Sequence, residues 1–179
     1  MARKPQTIFV QIASYRDPEL VKTIEDMLEN AKKPQNLVLG ICRQYHPEDG
    51  FDNLDKYRDD KRFRISDVLY TDAKGVCWAR NQVQQLYGGE MYTLQIDSHM
   101  RFAPNWDTEL IKMIKDLQKL GIPKPLLTGY VSSFDPDNDP QGRVMEPWRM
   151  SFDRFIPEGA VFFLPETIPN WKELDTPVQ

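Results

Sequence analysis

Histidine and cysteine are scarce in this chain, two of each in 179 residues. Two cysteines imply no disulfide framework, and Cys42 and Cys77, each inside an apolar run, read as buried thiols. His46 and His99 cannot build a three-histidine metal site within one chain. A basic excess is also missing. The net charge of -4 gives no broad positive field, so nucleic acid and anionic membrane are poor default partners. Long hydrophobic runs are absent too. The opening "MARKPQTIFVQIASYR" carries basic residues, but its apolar run is short and broken by Gln11, so it is neither signal peptide nor membrane span. There is no GxSxG, no P-loop, no GxGxxG, no CxxC, no repeat and no low-complexity tract. A reducing, cytoplasmic setting is the resulting expectation.

What is present is an ordinary globular composition, 40% hydrophobic and 28% charged, in a chain about one domain long. "TIFVQIAS" (Thr7 to Ser14) predicts a buried strand. Asp17 then offers a helix N-cap and Pro18 a first helical residue, with Leu20, Val21, Ile24, Met27 and Leu28 at helical spacing. "LVLGICRQ" and "RFRISDVLY" predict two more strands, separated by a polar stretch from Tyr45 to Lys61. "KGVCWARNQVQQLYGG" predicts a helix stopped by Gly88-Gly89, "EMYTLQI" a fourth strand, and "NWDTELIKMIKDLQKLG" an amphipathic helix closed by Gly121. "PLLTGYV" reads as a fifth strand. Strands alternating with helices argue for an α/β fold, a mostly parallel sheet flanked by helices. After Tyr130 the pattern degrades into proline and aromatic residues, with one short apolar run, "GAVFFL". The expected division is an α/β domain over residues 1–130 and an irregular, C-terminally incomplete region over 131–179. Within the latter, "DPDNDP" lacks the glycine and terminal glutamate of a calcium loop and reads as solvated.

Open parallel sheets bind ligands beyond the carboxyl ends of their strands. Those ends carry Ser14-Tyr15-Arg16, Gln44-Tyr45-His46 and Asp97-Ser98-His99. In "YTLQIDSHMRF" the apolar run stops on Asp97 and His99, one carboxylate and one imidazole two residues apart. Such a pair can hold a divalent cation, and mixed oxygen and nitrogen ligands suit Mn²⁺ better than Mg²⁺. It can equally be a loop in which Asp97 caps a turn and His99 makes a surface contact. Arg80, among Cys77, Trp78, Ala79 and Val83, either reaches an anion or pairs with a carboxylate. Tyr15 and Arg16 either stack on a base and meet phosphate, or serve the turn before Asp17-Pro18.

Taken together, "IFVQIASYRDPELVKTI", "GVCWARNQVQQLYGGEMYTLQIDSHMRFAPNWDTELI" and "LLTGYVSSFDP" resemble a GlcNAc-transferase family that includes the cytoplasmic hydroxyproline-directed polypeptide N-acetylglucosaminyltransferases. The middle block also resembles the polypeptide GalNAc-transferases, whose metal motif has the same Asp-Ser-His form. The resemblance covers roughly residues 6 to 135. It implies a GT-A-type nucleotide-diphospho-sugar transferase fold, a UDP-GlcNAc donor, a protein or glycan acceptor, and transfer with retention at the anomeric carbon. It implies Mn²⁺ on Asp97 and His99, a nucleotide pocket lined by Ala13, Ser14, Tyr15 and Arg16, and Arg80 facing the donor. It assigns no catalytic nucleophile. The chain departs from the pattern in one respect: related enzymes complete the metal site with a histidine well downstream, and here both histidines come early. The alternative expectation is therefore a catalytically incomplete nucleotide-sugar-binding module. A nucleotidyltransferase ranks third, because "ASYRDPE" lacks a glycine-rich basic loop.

Overall fold

The computed structural model describes residues 5–173. Packing divides the chain within its third long helix, into compact units 1–110 and 111–179.

The first unit is built on four parallel strands, β1 (Ile8–Tyr15), β2 (Leu37–Tyr45), β3 (Phe63–Leu69) and β4 (Tyr92–Asp97), in the order β3-β2-β1-β4. All four lie where the apolar runs predicted them. Because side chains alternate across a strand, β1 divides its residues between two faces. Ile8, Val10, Ile12 and Ser14 lie buried on one, with Leu37, Leu39 and Ile41 of β2 beside them in register. Phe9, Gln11, Ala13 and Tyr15 occupy the other. There Phe9 and Cys42 form a cluster with Ala79 and Val83 of α2 (Val76–Gln84), joined by Val38, Val68, Trp78 and Leu86. Gly40 makes that contact possible. A Cβ at this position would lie 2.4 Å from Cζ of Phe9.

Helix α1 (Leu20–Asn30) buries Leu20, Ile24 and Met27 of the stripe its spacing predicted, and Thr23 beside them, while Val21 and Leu28 are only half-buried. Its start differs from expectation. The helix begins at Leu20, and the Asp17 side chain accepts from the Glu19 N–H at 2.9 Å, closing a local turn without capping the first helical turn. Helix α2 also ends before Gly88-Gly89. Arg64 donates to the Leu86 carbonyl at 2.6 Å and to Glu90 at 2.6 Å, and Glu90 accepts from the Gly88 N–H at 2.9 Å, so this grip turns the chain out of the helix. Cys77 is exposed, contrary to expectation, while Cys42 is buried. Ala79 and Val83, one turn apart, face the sheet; Cys77 lies about 200° around the helix from Ala79.

Helix α3 (Trp106–Lys119) carries Asp107 and Glu109 in its first turn and Lys119 in its last, the polarity its dipole favours. Its beginning is pinned to the end of α1. Trp106 Nε1 donates to the Met27 carbonyl at 2.9 Å, and the Asp107 carboxylate accepts from the N–H groups of Lys32 and Lys33 at 2.8 and 2.9 Å.

In the second unit, β5 (Trp148–Phe155) and β6 (Val161–Thr167) form an antiparallel hairpin, with an irregular register between Phe152 and Arg154. The segment 125–131 is not a fifth strand. It makes one isolated bridge, Tyr130 to Trp148, and Leu126 is 83% exposed. Pro125 brings no N–H and Gly129 no side chain to pack, which leaves little to hold a ladder. The "DPDNDP" loop contains a single helical turn, Pro136–Asn138, with Asp135 accepting from the Asp137 N–H. Among the described residues, no helix is long and apolar enough to cross a membrane.

Candidate functional site

Parallel pairing brings the carboxyl ends of the strands to one edge of the sheet. The register sets Ala13 beside both Cys42 and Asp97, and Tyr15 beside Gln44. Over these ends lies a cleft of about 410 Å³ lined by Ala13, Tyr15, Gln44, Tyr70, Ala73, Gly75 and Val76. That volume is in the range of small-molecule sites. Its far wall is the start of α2. Gly75 precedes the helix with φ of 90°, a conformation glycine tolerates, and no side chain caps the first turn. The N-terminal amides and the positive end of the helix dipole therefore lie at the cleft wall, an arrangement that favours an anion. Two tyrosine rings and a helix N-terminus suit a ligand with a flat ring and a negative group.

The end of β4 supplies the charged side chains. Arg80, one turn along α2 from Val76, donates through Nη2 to Asp97 Oδ1 at 3.2 Å. Both are substantially exposed, the Asp97 side chain 58% and the Arg80 side chain 36%. Beyond Asp97, the chain is strapped to the beginning of α1. Thr23 Oγ1 donates to the Ser98 carbonyl at 2.8 Å and accepts from the Met100 N–H at 2.9 Å. Asp26 accepts from the Phe102 N–H at 2.6 Å, and Arg101 pairs with Glu19 at 2.5 Å, both of these side chains being largely buried. Glu19, Thr23 and Asp26 are spaced four and three residues apart, so one face of α1 holds the segment from Ser98 to Phe102.

Asp17 completes the strap. Its Oδ2 accepts from Ser98 Oγ at 2.6 Å and lies 2.8 Å from His99 Nδ1, while Oδ1 takes the Glu19 N–H. Burial by itself raises the pKa of this carboxyl. The hydrogen bonds from Ser98, His99 and the Glu19 amide outweigh burial and hold it below its ordinary value.

The residues anticipated from sequence distribute unevenly over this site. Ala13 and Tyr15 line the cleft. Ser14 is buried on the opposite face of β1, and its carbonyl accepts from Gln44 Nε2 at 3.0 Å. Arg16, with φ of 47°, is bound through Nε and Nη2 to Asp49 at 2.7 and 3.2 Å, its guanidinium 5.5 Å from the ring centroid of Tyr70. It buttresses a cleft-lining tyrosine. Arg80 and Asp97 meet directly, and His99 turns its Nδ1 to Asp17. Sequence reasoning missed Asp17 as a site residue, along with Tyr70 and Gly75 in the cleft. The Gly75 immediately before the helical pattern was the one available signal.

Asp97 and His99 offer one carboxylate and one imidazole, a donor set that fits a divalent cation retaining several positions for water or other oxygen ligands. Among the described residues, no group of three or more histidine, cysteine, aspartate or glutamate side chains could hold a metal ion. No curated protein matches this sequence. The family model described as Glycosyltransferase (GlcNAc) matches residues 7–61 and 51–179, well over half of the chain.

Proposed function

The chain belongs to the GlcNAc glycosyltransferase family, and from that premise we propose that it is a metal-dependent, retaining transferase of the GT-A type. Its donor is a UDP-sugar, UDP-GlcNAc or a close relative, and its acceptor is a hydroxyl on a protein or glycan. One observation carries the reading: the cleft, the uncapped start of α2 and the Arg80–Asp97 pair all lie at the same carboxyl edge of the sheet. Tyr15 and Tyr70 offer rings to a nucleobase. The amides of α2 and the Arg80 guanidinium offer donors and positive charge to a diphosphate. Asp97 through its carboxylate and His99 through Nε2 would hold Mn²⁺, which supplies Lewis-acid neutralisation of charge on the departing diphosphate. No side chain is assigned as a nucleophile. The free thiols Cys42 and Cys77 suit a reducing, cytoplasmic setting, which belongs to the same proposal.

Calorimetric titration of UDP-GlcNAc with Mn²⁺, and again with EDTA, tests donor and metal together. Tighter binding with Mn²⁺ is expected; equal affinity in both would remove the metal from donor binding. A second reading, a catalytically incomplete nucleotide-sugar-binding module, draws on the pair of ligand-type side chains at the end of β4, where no larger group is gathered among the described residues. UDP release from UDP-GlcNAc with candidate acceptors separates the two: the transferase releases UDP with turnover, the module binds donor without it.

A further inference from the structure

We infer that Asp17 is the positioning residue of this site, holding the His99 ring with its proton on Nδ1 and its Nε2 lone pair free for a cation. The inference rests on the metal reading above for the cation, and on geometry alone for the ring.

His99 is exposed over 60% of its side chain, so packing does little to orient it. The contact that does is polar. Asp17 Oδ2 lies 2.8 Å from Nδ1, and this same oxygen already accepts the Ser98 hydroxyl at 2.6 Å. An ionised carboxylate has no proton to give, so a ring nitrogen at that distance must bring the hydrogen. Nδ1 therefore carries it. In the neutral ring Nε2 is then left as the unprotonated nitrogen, the form a metal requires. A carboxylate behind a histidine is the usual means of fixing tautomer and ring orientation at a metal, and loss of such a partner costs roughly 10- to 100-fold in affinity.

Asp17 is itself well held. Its side chain is only 15% exposed, and its other oxygen is fixed by the Glu19 amide at the start of α1. Thr23 meanwhile fixes the backbone on either side of His99, through the Ser98 carbonyl and the Met100 amide. Histidine and its carboxylate partner are thus both tied to the same end of α1, although 82 residues separate them in sequence. The Asp17-Pro18 pair between β1 and α1 is in this reading part of the metal half of the site as well as a turn.

The chain has two histidines, so long-range ¹H–¹⁵N correlation of ring nitrogens resolves His99 from His46, with His99→Gln assigning the pair. In spectra of the neutral ring, wild-type His99 should show the Nδ1–H tautomer. Asp17→Ala should shift it toward Nε2–H and weaken Mn²⁺ binding, followed by paramagnetic resonance, by roughly tenfold or more. Ser98→Ala, which removes the other donor to the same oxygen, should leave the tautomer unchanged. Asp17→Asn, whose amide oxygen can still accept from Nδ1, should retain it in part and serves if the alanine variant does not fold. An unchanged tautomer in both Asp17 variants overturns the inference, as does a changed tautomer with unaltered Mn²⁺ affinity. A wild type that binds no Mn²⁺ defeats the metal reading alone, because the ring-nitrogen spectra still decide whether Asp17 orients His99.

Discussion

Replacing Arg80 with methionine separates a donor contact from a structural ion pair. The pair to Asp97 is long, 3.2 Å, and its side chains are 36% and 58% exposed. Exposed pairs of this kind contribute about 0–1 kcal/mol. Methionine keeps most of the apolar stem, so α2 should retain its packing through Ala79 and Val83. The expected fall in Tm is therefore less than about 4 °C. Donor binding should respond far more. If Arg80 meets the diphosphate, a charge-assisted hydrogen bond of about 1.5–3 kcal/mol is lost. At about 1.4 kcal/mol per decade, that is a roughly ten- to hundredfold weaker affinity. Calorimetric titration of UDP and UDP-GlcNAc at fixed Mn²⁺, beside thermal melts of both proteins, reads the two quantities independently. Unchanged affinity for both ligands would refute the reasoning and leave Arg80 as a partner of Asp97 only.

Other substitutions address the remaining parts of the site and its frame. Asp97→Asn should weaken Mn²⁺-dependent donor binding on the order of tenfold or more, with little change in Tm because the side chain is mostly exposed; a large loss of stability with intact binding would make Asp97 a turn residue. Gly40→Ala sets a Cβ 2.4 Å from Phe9 Cζ and 3.2 Å from Val83 Cγ1. With Phe9 fully buried, the urea midpoint should fall by the equivalent of about 1–3 kcal/mol, and an unchanged midpoint would show that the ring moves aside. Glu90 gives a pH test. Burial raises its pKa, but hydrogen bonds from Arg64 and the Gly88 amide outweigh burial and hold it below the ordinary 4.5. A lowered folded-state pKa contributes stability that is present above 4.5 and lost as pH falls through the folded value. Glu90→Gln should therefore flatten the acid limb of the stability curve, and superimposable acid limbs for variant and wild type would count against the Arg64–Glu90 grip.

Local pattern determined the elements of this protein. The apolar runs beginning near Ile8 and Leu37 became the central strands β1 and β2, which need continuous apolar residues because both faces are covered, and the more mixed runs beginning near Phe63 and Tyr92 became the partly exposed edge strands β3 and β4. The stripe Leu20, Ile24 and Met27 became the buried side of α1 by its period alone. Parallel connection likewise brings the carboxyl ends of the strands, and the cleft over them, to one edge of the sheet. Tertiary contacts decided the rest. "PLLTGYV" has the composition of a strand but found no ladder, which depends on a neighbour that composition does not contain. Cys77 lies in an apolar run yet faces outward, because the choice of buried face belongs to Ala79 and Val83 packed on Phe9. Arg16 and Asp49 meet across 33 residues, and Asp17 and His99 across 82. A carboxylate shows in sequence only as a charge; which imidazole it holds is set by the pairing of β1 with β4 and the docking of the following segment on α1.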